Sequence, residues 1–541
     1  MAARPPARTD PKGPTPSSFR GTQQLLLFSL FFAGLMLLHA PLLRLPYFWD
    51  EAGYYVPAAR DLYLTGTLIP HSTPSNAHPP LVMAWLALAW RVAGYSTLVT
   101  RTAMLALAAF SLLGIWQLCR VAANPAVAWA TTALTALYPV FFTQSSLAHL
   151  DLAAAGCTYW GLSAYFQDCR WKQAGWFSLA VLVKETAILV PLALFVWEVL
   201  AHIVSPRWQE FFPSAERRTR AFHLLVPVAP LACWYAYHFA KTGFLLGNPK
   251  FFRYNVADTL DPLRIPLALG MRLWQLCGYL GLYLLTLAGL LAMLRPAQTE
   301  NGISRPRIAI WIQVGFLVVV VAYLGFISAI GGAVLARYML PVVPLVILEL
   351  TATLWRRVRF WKPVVGAVAI AFVAGLFTNP PYGFSLEDNL AYRDYLVMHA
   401  EASRFLAMRY PRARVLSAWP ASDELTRPWL GYVARPFQVV RIEDFTAAQI
   451  SAASAAIGQF DVAFVFSTKY QPPHPFLEDW TWWQHVKERF FGYHRDLLPE
   501  EIAPRLGGQV VFQKASDGQW VAVIAVETEQ DAEWRTHSGP R

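Results

Sequence analysis

The chain has 541 residues, 56% of them hydrophobic and only 15% charged, with 22 Trp, 22 Tyr and 34 Phe. No single soluble core absorbs that much apolar surface, so the composition excludes a soluble enzyme and predicts a multi-pass α-helical membrane protein. The formal charge of +11 is uneven. Residues 379–541 carry 16 Lys and Arg against 20 Asp and Glu, a net of −4, which leaves +15 for residues 1–378. That positive charge belongs to membrane loops and excludes a nucleic-acid partner.

In chain order, residues 1–20, with Arg4, Arg8, Lys12, Arg20 and five prolines, read as a disordered cytoplasmic arm. The run Leu25–Leu43 is long enough to cross a bilayer, and no small-residue cleavage site follows it, so it reads as a retained anchor. Further apolar segments fall near 98–119, 126–144, 151–167, 174–200, 224–240, 275–294, 308–328, 339–354 and 363–378. Residues 80–93, between Pro79-Pro80 and Gly94, are short for a span; Trp85, Trp90 and Arg91 suit a helix lying in the interface.

The basic loops Arg207–Arg220, Arg295–Arg307 and Arg356–Lys362 are expected on the cytoplasmic side, together with the N-terminus. Parity then requires 174–200 to be two short helices broken near Lys184-Glu185-Thr186, at the outer face, for a total of eleven spans. Making 80–93 a span and 174–200 a single helix also gives eleven. The five cysteines (119, 157, 169, 233 and 277) all lie before residue 379 and show no zinc-ligand spacing.

From Asn379 the texture changes. Helical patterning at 386–409, 421–433 and 446–457 alternates with strand candidates Val415–Trp419, Phe437–Ile442, Phe460–Phe466, Gln509–Gln513 and Trp520–Val526. Residues 379–541 therefore read as a soluble extracytoplasmic α/β domain whose last two strands form a hairpin at Ser516-Asp517-Gly518. No Gly-rich phosphate loop follows its early strands. Pro472–Pro475 and Trp480–Trp483 read as docking this domain onto the membrane part.

Five polar features fall on the outer side. They are Asp50-Glu51, followed by Tyr54-Tyr55, in the loop 45–97; His78 before Pro79-Pro80; His149-Leu150-Asp151; Lys184-Glu185; and Arg337-Tyr338. Each has a plain alternative: Asp50 or Asp151 as a helix N-cap, Lys184 and Glu185 neutralising each other, Arg337 snorkelling, His78 as an ordinary loop residue. Acids and bases from five separated segments on one face instead point to a shared polar cavity. Such a cavity suits group transfer from a lipid-linked phosphate. Lys184 and Arg337 would hold the phosphate leaving group, and a carboxylate would take the proton of an attacking hydroxyl.

With these motifs in this order, the chain resembles the GT-C membrane glycosyltransferases, specifically the family joining protein O-mannosyltransferases and bacterial lipid A aminoarabinose transferases. The matching residues are Asp50-Glu51, His78-Pro79-Pro80-Leu81, Leu182-Val183-Lys184-Glu185, and Arg337-Tyr338 followed by Pro341 and Pro344, over about residues 20–360. The resemblance implies a GT-C domain (21–378) in a bacterial inner membrane. It also implies a polyprenyl-phosphate-linked sugar donor, inverting transfer to a lipid, glycan or protein acceptor, and a soluble domain after the last span. It assigns Asp50 as the base, with Glu51 and Asp151 as further catalytic candidates, and Lys184, Arg337 and His78 as donor-phosphate ligands. Tyr54, Tyr55, His149, Glu185 and Tyr338 would line the substrate cavity. Aminoarabinose transferases carry a lysine preceded by a glutamate where this chain has Ala77-His78. No metal ligand is therefore assigned, and a divalent ion is left open. The rival readings are a lipid or solute transporter, and an oligosaccharide ligase or polymerase using a diphosphate-linked donor. The second needs more cations than Lys184, Arg337 and the loop residues Lys250 and Arg253.

Overall fold

The computed structural model describes residues 21–204, 217–472 and 480–526; the N-terminal arm, part of the basic loop at 207–220 and Pro473–Pro475 lie outside them. Among the described residues four helical stretches are long and apolar enough to cross a bilayer: Gly21–Leu38, Thr97–Ala122, Arg264–Met293 and Ile310–Ala329. The other apolar segments are shorter helices, among them Pro125–Leu137, Asp151–Phe166, Val343–Arg357 and Trp361–Phe377. The run predicted at 275–294 belongs to a stretch starting at Arg264 and kinked at Leu280, whose φ of 48° and ψ of 48° break the helix. Leu81–Ala93 is 13 residues, or about 20 Å, and Gly94, with a positive φ of 81° and an extended ψ of 157°, ends it. Arg170–Val183 stops at Lys184, whose extended backbone (φ −150°, ψ 130°) leads into a short 3-10 turn, Glu185–Ile188, and the helix Leu189–Val204. Residues 174–200 are therefore two helices with Lys184 at the break.

Local sequence explains where these helices begin and how they pack. Ser96 accepts from the Val99 N–H to cap Thr97–Ala122, and Asn124, followed by Pro125, accepts from Ala126 and Val127 to cap the next helix. Thr97–Ala122 crosses Asp151–Phe166 at close range because Gly156 lies against Ser111 and Gly114 against Trp160 and the Gly156 carbonyl. A Cβ on Gly156 would sit 2.1 Å from Ser111 Oγ and 3.2 Å from Ser111 Cα.

After the last apolar helix the chain builds a five-stranded mixed sheet in the order β4-β3-β5-β7-β6, the two strands of a small hairpin at Thr299–Ser304 being β1 and β2. Strands β3 (Arg414–Ala418), β4 (Gln438–Ile442) and β5 (Val462–Phe466) are parallel; β7 (Gln519–Val526) runs antiparallel to β5 and pairs with β6 (Gly508–Ser516). Asp517 (φ 43°) and Gly518 (φ 79°) both have the positive φ that a two-residue hairpin turn demands. Every residue of β5 is buried, as the helix Ala391–Arg409 and the remaining chain cover both faces. Two helices, Thr481–Phe491 and Pro499–Arg505, occupy a region that reads as irregular in sequence.

The sheet unit packs its β3 carboxyl end onto the first loop. Trp419 lies 5.4 Å from Trp49 and 5.8 Å from Tyr54 between ring centroids, and Tyr432 donates from its hydroxyl to the Tyr47 carbonyl at 2.9 Å. The docking expected of Trp480–Trp483 is made elsewhere. Trp480 and Trp482 are exposed, and at the far end of the same helix Arg264 Nε donates to the Phe490 carbonyl (3.0 Å) with its guanidinium over Phe491.

The glycine contact gives a test. Gly156→Ala forces the two helices apart and should destabilise the protein by about 1–3 kcal/mol. Gly175→Ala, which meets nothing within 4 Å, should be neutral or slightly stabilising. Thermal unfolding of the detergent-solubilised variants separates the two.

Candidate active site

Asp50 and Glu51 are adjacent but diverge into different surroundings. Trp49 has a positive φ (37°), and the five residues Glu51–Tyr55 form a π-helical turn ahead of the helix Val56–Thr65. This combination aims neighbouring side chains apart. Glu51 is fully buried. Its Oε1 accepts from Arg101 Nη1 and from the Ala148 N–H (2.5 Å), and its Oε2 accepts from Arg101 Nη2 (2.9 Å) and the Phe48 N–H (2.8 Å). Arg101 also donates to the carbonyls of Ser146 and Pro46, both at 2.9 Å. This pair pins the first loop to the 146–148 turn, and Glu51 has no exposed oxygen to offer a substrate.

Asp50 makes no capping bond; its Oδ2 accepts from Arg337 Nη2 at 2.5 Å. Arg337, itself buried in the 3-10 turn Ala336–Met339, has two more carboxylate partners. Nη1 donates to Glu387 Oε2 (2.7 Å), and Nε lies 3.3 Å from Asp151 Oδ2. Asp151 Oδ1 in turn accepts from Lys184 Nζ at 2.5 Å. Asp151 opens its helix as the first residue rather than as its cap, where the helix dipole favours a negative charge. His149 Nδ1 stands 2.8 Å from Gln144 Oε1 and 3.1 Å from Arg337 Nη1; burial and then the Arg337 charge hold its imidazole well below the usual range, so it is neutral.

The Tyr338 ring collects three cations: Lys184 Nζ at 4.1 Å, the Arg272 guanidinium at 5.5 Å and the Arg337 guanidinium at 5.6 Å. Arg272 is fully buried and donates to Gln275 Oε1 and the carbonyls of Leu335 and Ala333; Arg264 donates to the carbonyls of Gly331, Gly332 and Phe490. Among the described residues neither arginine has a carboxylate within ion-pair distance.

Of the predicted residues, the structure thus brings together Asp50, Asp151, Lys184, Arg337, His149 and Tyr338. Tyr55 stands at the edge of this group, its ring 5.8 Å from His149. His78 and Glu185 form a separate neighbouring pair, Nδ1 to Oε2 at 2.9 Å, beside a cavity lined by Tyr54, Tyr55, Asn76, His78, Met83 and Trp234. Lys250 and Arg253 are exposed and pair with Glu443 and Asp258.

Sequence reasoning passes over four participants: Arg101, Arg272, Glu387 and Asp388. Asp388 Oδ2 accepts from the Tyr279 hydroxyl at 2.7 Å, and burial pushes its carboxyl up to about 7. The signal for Glu387-Asp388 is present, since two acids just beyond an apolar run is the same pattern that marks Asp50-Glu51. As for a metal, the site carboxylates are already committed to Arg337 and Lys184. Among the described residues the set of His and acid side chains that converges as ligands would is Asp444, His494 and Asp496 on the sheet unit, with ligand atoms within 4.8 Å of one another.

No family model matches the sequence, and no curated protein matches it. Solved structures do match. The crystal structure of ArnT from Cupriavidus metallidurans bound to undecaprenyl phosphate superposes with a TM-score of 0.54 at 14% identity, over 96% of this chain and 100% of that one. The apo state of the same protein gives 0.52, also at 14% identity, over 96% and 99%. The archaeal oligosaccharyltransferase AglB from Archaeoglobus fulgidus reaches only 0.46 at 12% identity, over 94% and 74%. This chain is a membrane protein with the GT-C fold.

The divergence of the two acids predicts opposite behaviours. Glu51→Ala leaves Arg101 buried without its carboxylate and should cost about 3–5 kcal/mol of stability. Asp50→Asn, at a partly exposed position, should change the unfolding midpoint little. Thermal melts of both variants in detergent check this.

Proposed function

We propose that the protein is an inverting glycosyltransferase that moves a monosaccharide from a polyprenyl-phosphate donor to a lipid, glycan or protein acceptor. It would act at the outer face of a bacterial inner membrane. The observation that carries this reading is the ring of three cations around Tyr338 beside a carboxylate cluster with one accessible member. The Asp50 side chain is 23% exposed, whereas those of Asp151 and Glu387 are 3% and 5% exposed. In this reading Asp50 accepts the proton of the acceptor hydroxyl as its oxygen attacks the anomeric carbon. The bond from that carbon to the phosphate oxygen breaks, and the polyprenyl phosphate leaves with its charge held by Lys184 and Arg337. Arg272, fixed behind Tyr338, adds positive potential without touching the phosphate. Asp151 orients both cations, and Glu51 serves as the structural anchor of the loop that carries Asp50.

An apolar groove supports a prenyl donor. It is lined by Leu192, Val196, Leu200, Val318, Val321 and Phe326, between the helix that follows the Lys184 break and the helix that precedes the Arg337 loop. The ArnT structure contains undecaprenyl phosphate in the same fold. The proposal includes eleven spans, a cytoplasmic N-terminus, a GT-C part at 21–378 and an extracytoplasmic domain at 379–541. A transporter is disfavoured because the ionisable cluster sits on helix ends and loops on one side rather than midway along the helices. Arg264 and Arg272 favour the diphosphate-linked alternative by raising the number of cations near the site. Their commitment to backbone carbonyls keeps the monophosphate donor the better reading.

Two measurements on purified protein test the assignment. Asp50→Asn should lower turnover by about 10²–10⁴-fold while leaving donor binding near wild type. Lys184→Ala should weaken donor binding by roughly 10-fold or more, the loss of one charge-assisted contact. Near-normal turnover in the first, or unchanged donor affinity in the second, would remove that residue from its role.

A further inference from the structure

The feature this mechanism leaves unused is Glu387. It lies in the short 3-10 turn Leu386–Asp388, ten residues past the end of the last apolar helix and just ahead of the sheet unit. Thr143 Oγ1 donates to its backbone carbonyl at 2.6 Å, which fixes the turn against the site. Its Oε2 accepts from Arg337 Nη1 at 2.7 Å, while Oε1 is buried with no hydrogen-bond partner.

The charges around it do not balance. Asp50, Asp151 and Glu387 share Arg337, and Lys184 is the other cation of the cluster. Arg272 over Tyr338 and Asp388 beside Glu387 add one charge of each sign, so four buried or half-buried carboxylates against three cations leave one negative charge in excess before any phosphate enters. A donor phosphodiester adds another. Low-dielectric surroundings make such an excess costly, so one carboxylate must give up its charge. Asp50 must stay ionised to act as base, and Asp151 is held by Lys184 and Arg337 together. Asp388 also has an unpartnered oxygen but is bonded to the Tyr279 hydroxyl rather than to a site cation, so its protonation frees none; Glu387 has one oxygen unpaired and Arg337 as its cationic partner.

We propose, resting on the donor reading above, that Glu387 is a positioning residue whose ionised form holds Arg337 back from the donor and whose protonated form yields it, a proton being taken up from solvent on binding wherever Glu387 is still ionised. Arg337 is then released to the phosphate while Asp50 stays ionised. The groups facing Glu387 from other elements are Arg337, His149 at 3.8 Å, Asp50 and Asp151; Asp388 faces it from its own turn. Burial, reinforced by the three neighbouring carboxylates and opposed by Arg337, pushes its carboxyl up to about 8. The sign follows. The protonated form is the one that yields Arg337, so donor affinity is full below about pH 8 and falls as pH rises through that value.

The test is binding of a short-chain polyprenyl methyl phosphodiester, whose charge does not change over this range, to the full-length protein between pH ~6.5 and ~9.5. Wild type should lose affinity above pH ~8 with a slope approaching one decade per pH unit. Glu387→Gln keeps an oxygen for Arg337 Nη1 but no charge. It should bind with a flat profile and, at pH ~9, roughly 10-fold more tightly than wild type. A variant that binds more weakly at every pH and keeps the wild-type slope would show Glu387 to be only a structural brace and overturn the proposal. Should Glu387→Gln not fold, calorimetry of wild type in buffers of different ionisation enthalpy reads the same event. Proton uptake on binding above pH ~8 is expected, and its absence overturns the proposal. No binding by wild type at any pH would remove the donor reading itself, and this inference with it.

Discussion

A buried guanidinium or ammonium group must be answered by an anion or by a full set of carbonyls, and most of this structure follows from how four such groups are answered. Arg101 is answered by Glu51, which fixes the first loop to the 146–148 turn. Arg337 is answered by Asp50, Asp151 and Glu387, from three separate parts of the chain, and Lys184 by Asp151. Arg272 is answered by carbonyls at 333–335, which shapes the backbone leading into Arg337. Removing Glu51 leaves Arg101 stranded, and the three carboxylates on Arg337 come from three segments, so the helix ends and loops around the site have little freedom to rearrange independently.

The same constraint ties the sheet unit to the membrane part. Glu387 arrives from the segment linking the two, and the carboxyl end of β3 presents Trp419 to Trp49 and Tyr54, the residues flanking the acidic pair. In open sheets with parallel strands that edge is where ligands gather. Here it forms a wall of the region that holds Asp50, so the sheet unit contributes directly to the surroundings of the site.

Much of this was legible in the sequence, for a physical reason. A charge next to an apolar run is costly, so Asp50, Asp151, Lys184 and Arg337 stand out, and the Lys184 break follows from keeping that charge out of the apolar interior. Alternation and the Asp517-Gly518 turn marked the strands of the sheet. What stayed hidden depends on pairing across distance. Arg101 lies inside an apolar segment and reads as part of it until Glu51 is placed beside it. The different fates of Asp50 and Glu51 come from the positive φ at Trp49 and the π-helical turn, neither of which periodicity reveals. Short and kinked helices, such as the one broken at Leu280, also blur the lengths from which spans are counted. The helix Thr481–Phe491 was masked by a run of tryptophans that read as an irregular docking segment.

The central claim is that Lys184 and Arg337 hold the donor phosphate while Asp50 serves as the base for the acceptor hydroxyl. A cryo-EM reconstruction of the protein with a non-reactive polyprenyl-phosphate sugar analogue tests it most directly. The account predicts the phosphate about 3 Å from Lys184 Nζ and an Arg337 nitrogen, against the Tyr338 ring. The Asp50 carboxylate should border the space from which an acceptor hydroxyl reaches the anomeric carbon. A phosphate seated instead in the cavity beside His78 and Trp234 would contradict it.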